Sequence, residues 1–189
     1  MDVVLAAALL AVSLPVLCLA GLAIVLSTRQ NPLVVQLRVG LRGREFGMLK
    51  LRTMDHRGAQ GTLERLLPGE TLVVKHPDDE RVTRVGRWLR ASSIDELPQL
   101  VNVLAGTMSL VGPRPALPLE VARYPASWRR RLDVKPGLTG LWQVSGRCEV
   151  EPNRRAAMDR YYVARRGVGL DCSILLRTAR AVVSMRGAW

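Results

Sequence analysis

An uncharged, almost wholly apolar stretch runs from Val3 to Leu26, interrupted only by Ser13, Pro15 and Gly21. Such a run cannot be solvated, and about 20 helical residues are enough to cross the hydrocarbon of a bilayer. A secretory leader would open on basic residues and carry a shorter apolar region. Here Asp2 is the only charged side chain ahead of the run, which disfavours a leader. Two foldings remain. One is a helix that spans the membrane with an ordinary proline bend. The other is a helix broken at Pro15 that enters and leaves by the same face. Proline lacks the N–H of the i to i−4 bond and clashes with the preceding turn. Ser13 lies close enough to serve a carbonyl freed in this way. Arg29, Arg38, Arg42 and Arg44 follow the run and place what comes next on the cytoplasmic side.

The remainder of the 189 residues suffices for one modest domain, so we divide the chain into a membrane-associated helix, 1–28, and a single domain, 29–189, on the cytoplasmic side. Lys and Arg number 28 against 16 Asp and Glu, a formal charge of +12. That excess suits an anionic membrane face, a phosphorylated substrate or a nucleic acid. Aromatic residues make up only 4%, too few for stacking on bases, so nucleic acid is not an expected partner. Cys18, Cys148 and Cys172 show no metal-binding spacing and read as small apolar residues of a reduced compartment.

Two β-branched or apolar segments, Leu33 to Arg38 and Glu45 to Arg52, are separated by Gly40 and Gly43 and predict a hairpin. Alternation along the second strand would put Lys50 and Arg52 on one face, two cations side by side. His56 to Asp79 is polar and punctuated by Gly and Pro, a loop with a helical turn near Thr62 to Leu67. Asp78-Asp79-Glu80 reads as the acidic start of a helix carrying Val82, Val85, Trp88 and Leu89 on its apolar side. The arginines of that helix lead into Asp95-Glu96-Leu-Pro98-Gln99.

Adjacent carboxylates among so many cations point to anion chemistry. Pro98 fits best in a first helical turn, which predicts Asp95 as the N-cap of a helix through Leu100 and Leu104. The competing frame is a Ser93-x-x-Glu96 capping box with no chemical role. In the preferred frame the helix N-terminus attracts phosphate and favours ionised Asp95, which can then attack phosphorus. Mg²⁺ bridging Asp95 and Glu96 to a diphosphate would offset the repulsion between anions. Arg90 and Arg114 are expected to clamp the remaining phosphate oxygens, with Lys50 and Arg52 beside them.

The blocks Lys50-Leu-Arg52-Thr-Met54, Ile94-Asp95-Glu96-Leu-Pro98-Gln99-Leu-Val-Asn102, Gly112-Pro113-Arg114-Pro115 and Lys135-Pro136-Gly137-Leu-Thr139-Gly140-Leu-Trp142-Gln143 closely resemble the bacterial sugar transferases, the monotopic phosphoglycosyl transferases. Asp159-x-x-Tyr162 and Asp171-x-x-Ile-Leu-x-x-Thr178 extend the likeness over essentially the whole chain. The resemblance implies transfer of a sugar-1-phosphate from a UDP-sugar to a polyprenol (undecaprenyl) phosphate, with Asp95 as nucleophile and Glu96 as metal partner or base. It also implies Mg²⁺, a bacterial inner-membrane location facing the cytoplasm, and a re-entrant helix broken at Pro15. Two positions depart from the family pattern: Leu14 stands before the proline where Ser is usual, with Ser13 one residue back, and Leu51 replaces a frequent Phe. The expected fold is α+β, a mostly helical domain with a small β-hairpin and amphipathic interfacial helices. The sequence leaves open whether the chain forms a homodimer, and which sugar it takes. The alternative function is a non-catalytic, membrane-anchored basic module binding anionic lipid or nucleic acid.

In the last third, the Gly- and Pro-rich stretch from Val134 ends on Arg147, a further phosphate-binding candidate. Trp128 and Trp142 with Arg129-Arg130-Arg131 fit either the headgroup level of a bilayer or a solvated helix face. Asn153 to Tyr162 and Asp171 to Met185 predict two helices, the second amphipathic, separated by a turn at Gly167 and Gly169.

Overall fold

The computed structural model describes residues 1–55, 79–146 and 150–184. The loop and helical turn expected over His56 to Asp79 lie outside the described residues up to Asp78, as does the phosphate candidate Arg147. The fold mixes helices with two small sheets around a long apolar N-terminal helix.

Helix α1 spans Asp2–Thr28 and is long and apolar enough to cross a membrane by length and composition. It continues through Pro15, so the proline interrupts the bonding ladder without ending the helix. The carbonyl deprived of its donor is that of Ala11, four residues back. Ser13 Oγ instead donates to Leu10 O at 3.1 Å, one carbonyl short of the role expected for it. The helix ends where Arg29 turns left-handed (φ 55°) and its N–H bonds Val25 O. Most of α1 is exposed; Val4, Val12, Leu19 and Leu26 are each more than two-thirds open. Its inward stripe is narrow. Ala6 and Leu10 join the main core, and Ala20 and Ile24 join a second cluster with Leu51 and Leu89.

The expected hairpin forms from β1 (Leu33–Val39) and β2 (Glu45–Leu51), paired antiparallel from Leu33 opposite Leu51 to Val39 opposite Glu45. Gly43 adopts φ 77° in the connecting turn, and Arg42 also goes left-handed. One face of β2 carries Met48 into the core and Lys50 to its rim. Helix α2 (Arg84–Ala91) starts three residues later than the acid run suggests. The Thr83 side chain, not a carboxylate, caps it by accepting from the Gly86 N–H. Helix α3 (Gln99–Leu104) follows, then β3 (Ser109–Val111), α4 (Pro118–Ala122) and β4 (Gly137–Thr139). Strands β3 and β4 pair in parallel, a second sheet that no sequence signal announced, since each contributes only three residues.

Helices α5 (Pro152–Arg165) and α6 (Val168–Ser184) close the chain. Gly169 lies inside α6 rather than in a turn. Ile174 of α6 is fully buried, and Thr178 meets Thr139 of β4 at 2.8 Å between hydroxyls. Trp128 and Trp142 are both over nine-tenths buried, so neither sits at a headgroup level. Trp128 packs against Tyr124 edge to face, with ring centroids 5.5 Å apart.

Gly86 lets α2 press directly onto the chain after β2: a Cβ there would stand 2.0 Å from Thr53 O. Gly86→Ala must push these two backbones apart and is expected to cost about 1–3 kcal/mol. A fall in the thermal midpoint of the full chain in detergent checks this.

Candidate active site

The site is built at the corner between α2 and α3. Helix α2 stops at Ala91, and Ser92 Oγ folds back onto Trp88 O at 2.9 Å. Ser93 then takes φ 60°, a left-handed conformation that costs a residue with a Cβ of order 1 kcal/mol. This reversal opens a single 3-10 turn, Ile94–Glu96. Asp95 therefore does not cap α3 as expected. Pro98 holds the N-cap position with a helical φ of −59°, and α3 starts only at Gln99. Its missing N–H fits there, and the cap stands three residues later than expected, which leaves Asp95 in the preceding turn. The Ser93 side chain makes no cap bond, so the capping-box frame does not form either.

The corner turns Asp95 inward, to 6% exposure, against the end of β2. Lys50 Nζ lies 3.5 Å from Asp95 Oδ2 and 3.1 Å from Glu96 Oε1, bridging both carboxylates. Arg114 adds a second cation to Glu96, with Nη2 at 2.8 Å from Oε1 and Nη1 at 3.5 Å from Oε2. Arg90 is the third. Its Nε donates to Thr53 Oγ1 at 2.9 Å, which leaves the outer nitrogens of the fork for another acceptor. Burial draws the Arg90 guanidinium below its ordinary value, and the charges of Asp95 and Asp79 oppose that shift. Nearby, Arg81 holds the Asp79 carboxyl down to about 2 through paired hydrogen bonds.

Lys50 and Arg114 thus pair with Asp95 and Glu96 from separate elements, and Arg90 stands near enough for the Asp95 charge to act on it. Arg52 does not join them. It stands just past the end of β2 and donates from Nε to Asn31 O at 2.7 Å, toward the exit of α1. The period-two expectation fails because the strand ends before Arg52.

Thr53 and Asn102, to which the sequence reading gave no role, support the arrangement, as does Arg131, which is buried rather than at a headgroup level or on a solvated face. Thr53 orients Arg90. Asn102, a polar residue in the otherwise apolar run Leu100 to Leu104, is buried and stitches α3 to β2. Its Oδ1 accepts from Leu49 N at 2.9 Å, and its Nδ2 donates to Gly47 O at 2.8 Å. The side chain thereby sets the distance from Lys50 to the carboxylates, and its polar character in an apolar stripe was the available signal. Arg131, the last of a three-arginine cluster, is buried behind Arg114 and bonds its carbonyl.

Among the described residues no group of three or more His, Cys, Asp or Glu converges. The two carboxylates nevertheless suit Mg²⁺, which commonly takes one or two carboxylates and completes its shell with water and substrate phosphate. Lys50 Nζ already shows that one cation can serve both acids at once.

The family model for the bacterial sugar transferases matches residues 1–185. The chain belongs to that family. It is 43% identical over 159 residues to an undecaprenyl-phosphate galactose phosphotransferase of Salmonella typhimurium, a match covering 80% of this chain and 33% of that protein. It is likewise 43% identical over 197 residues to a UDP-glucose:undecaprenyl-phosphate glucose-1-phosphate transferase of Caulobacter vibrioides, covering all of this chain and 70% of that one. The exopolysaccharide production protein ExoY of Sinorhizobium fredii is 40% identical, with 80% of this chain and 70% of that protein covered. The chain thus spans about a third of the longer relatives, such as the Salmonella protein, and about two-thirds of the shorter ones.

Replacing Asn102 with Leu keeps its volume but leaves the Leu49 N–H and Gly47 C=O without partners. Each such buried group costs about 1–3 kcal/mol, so the variant should unfold at lower temperature. Its turnover should fall as well, because β2 no longer holds Lys50 in register; a chimeric result with stability lost and turnover per folded molecule intact would contradict that link.

Proposed function

We propose that this chain transfers a sugar-1-phosphate from a UDP-sugar to a polyprenol phosphate through an aspartyl phosphosugar intermediate. The observation that carries the reading is the buried Asp95, ion-paired to Lys50 beside a Glu96 that Lys50 and Arg114 hold from two sides. The names of the relatives agree with the substrate classes. A carboxylate oxygen of Asp95 attacks the phosphorus that bears the sugar, and the bond from that phosphorus to the bridging oxygen breaks. UMP departs with that oxygen, and an acyl phosphate remains on Asp95. An oxygen of the polyprenol phosphate then attacks the same phosphorus. The acyl–phosphate bond breaks, the polyprenol diphosphate sugar is released and the Asp95 carboxylate is restored.

Each step brings anions together, and the surrounding charges answer that demand. Lys50, Arg90 and Arg114 outnumber the two carboxylates, so the site is already suited to one phosphate group. Arg52 lies further out, near the end of α1, and Arg147 remains a candidate for the same diphosphate. Mg²⁺, held by Asp95 and Glu96, would supply charge neutralisation of the diphosphate. Glu96 is fixed by two cations, which suits holding a metal or orienting the polyprenol phosphate better than shuttling a proton.

The membrane part of the proposal is that 1–28 immerses in the inner leaflet of the cytoplasmic membrane from one side, with 29–189 as the cytoplasmic catalytic domain. Two contacts support it. Ala6 packs on the main core and Ile24 on the cluster below Leu89, so both ends of α1 rest on the same domain. A helix threaded straight across a bilayer would carry one of these ends away. The exposed apolar middle, around Val12 to Val16, is then what lipid covers.

Two measurements test these statements. With Mg²⁺ and a panel of UDP-sugars that includes glucose and galactose, the protein should release UMP and gain the mass of a phosphosugar on the peptide holding Asp95. Asp95→Asn should abolish the adduct and lower turnover at least about a thousandfold, while still binding donor. Undiminished turnover in that variant sinks the nucleophile assignment. For topology, single cysteines at Val4 and Ser27 in a Cys18-free, Cys148-free, Cys172-free protein should react with an impermeant maleimide from the cytoplasmic face only. Labelling of Val4 from the opposite face would mean a spanning helix.

A further inference from the structure

Arg114 reaches Glu96 from the loop Gly112-Pro113-Arg114-Pro115, so whatever fixes this loop sets where a phosphate clamp stands. Its upstream side is secured by β4: Gly112 N donates to Thr139 O, and Gly137 N donates to Pro113 O, both at 2.9 Å. The two chains pass so closely that a Cβ on Gly137 would sit 2.1 Å from Gly112 N. On its other side Ala116 O accepts from Val39 N of the hairpin. Between these tethers few backbone groups remain to hold the loop, because Pro113 and Pro115 have no N–H to give, and the Arg114 carbonyl is one of them.

That carbonyl is taken by Arg131. Its Nη2 donates to Arg114 O at 2.9 Å and lies 2.9 Å from Asp159 Oδ2, while Nη1 donates to Tyr124 Oη at 2.8 Å. The guanidinium also lies 5.4 Å from the centre of the Tyr124 ring. Arg131 is 8% exposed and Asp159 1%, so this is a charge pair removed from water. A pair so placed is a costly way to gain stability, since apolar residues of similar volume often do as well. One planar fork that donates to two acceptors in fixed directions while ion-paired to a carboxylate is something apolar residues and lysine cannot supply. Asp159 and Tyr162 also form one of the sequence blocks that the catalytic reading left without a task.

We propose that Arg131 and Asp159 are positioning residues: they hold the Arg114 backbone so that its guanidinium meets Glu96 and the substrate phosphate. Asp159 orients the Arg131 fork, the fork holds the carbonyl between two prolines, and Arg114 projects from the far side of that fixed point. Tyr124 supports the fork from the remaining direction. This inference rests on Arg114 acting as a phosphate clamp in the proposed transfer, though the structural half of it does not. Burial raises Asp159 to about 6 against the opposing pull of Arg131, and raises Tyr124 to about 12, in keeping with a cluster sealed from solvent.

The test is a double-mutant cycle on the full chain in detergent, with UMP release as readout. Asp159→Asn and Arg131→Lys should each lower kcat/KM about ten- to a hundredfold. In an Arg114→Lys background the same changes should cost less than about threefold, because the group they position is already gone. Losses that multiply in full, or an Asp159→Asn protein as active as the parent, would overturn the proposal. Should Asp159→Asn not fold, Tyr124→Phe removes one bond of the fork and runs the same cycle with a smaller first loss. Hydrogen exchange separates this inference from the functional reading. The amides over 109–117 and at Val39 should exchange faster in Arg131→Lys, while those of α3 do not change. If the parent protein releases UMP from no donor, the transferase reading falls and the exchange result alone decides the positioning. Unchanged exchange over 109–117 would then overturn it.

Discussion

The ammonium of Lys50 is the interaction on which the site depends. Asp95 and Glu96 are neighbours in one tight turn, and two carboxylates so close in a partly buried corner would otherwise repel each other. A cation 3.5 Å from one and 3.1 Å from the other makes the corner stable and leaves it electrically suited to a phosphate. Everything that fixes Lys50 relative to the corner therefore matters. The hairpin register puts it beyond Met48 on the inward face, and Asn102 ties that strand to α3. The left-handed Ser93 then swings Asp95 to meet it. Removing one partner of such a pair commonly costs about 3–5 kcal/mol, far more than its formation contributes, since the remaining charge is left without water.

The same elements connect the site to the apolar helix. Ala6 and Leu10 of α1 pack into the core that contains Met48 and Leu100, while Ala20 and Ile24 meet Leu51 and Leu89. Lys50 lies between Met48 and Leu51 in sequence, so the strand that carries the bridging cation takes part in both clusters that α1 joins.

Several features were readable because they follow from local chemistry. The uncharged run to Leu26 could only be a long helix seeking an apolar environment. Gly43 between two apolar segments marked the hairpin. The spacing of apolar residues marked α5 and α6 to within a few positions. Other expectations went astray where two local rules competed. Pro98 and Asp95 both suit a helix start, and the proline took the cap position because it has no N–H to waste. The acid run before Arg81 resembled a helix start, yet Asp79 paired with Arg81 and left the cap to Thr83. Trp128, Trp142 and Arg131 looked like surface residues by type; they are buried against partners that residue type does not reveal, Tyr124 for Trp128, Arg155 for Trp142 and Asp159 for Arg131.

By itself, then, the sequence determined the membrane-seeking helix, the hairpin and the identity of the residues able to do phosphoryl chemistry, since residue type and short-range spacing dictate these. Only the tertiary structure decided which cations reach the carboxylates. Lys50 and Arg114 are 45 and 18 residues from their partners Asp95 and Glu96. Arg52, two positions from Lys50, turns away because the strand ends one residue before it. Ion pairing depends on distances of a few ångströms, and no local pattern specifies such distances between segments that meet only when the core closes.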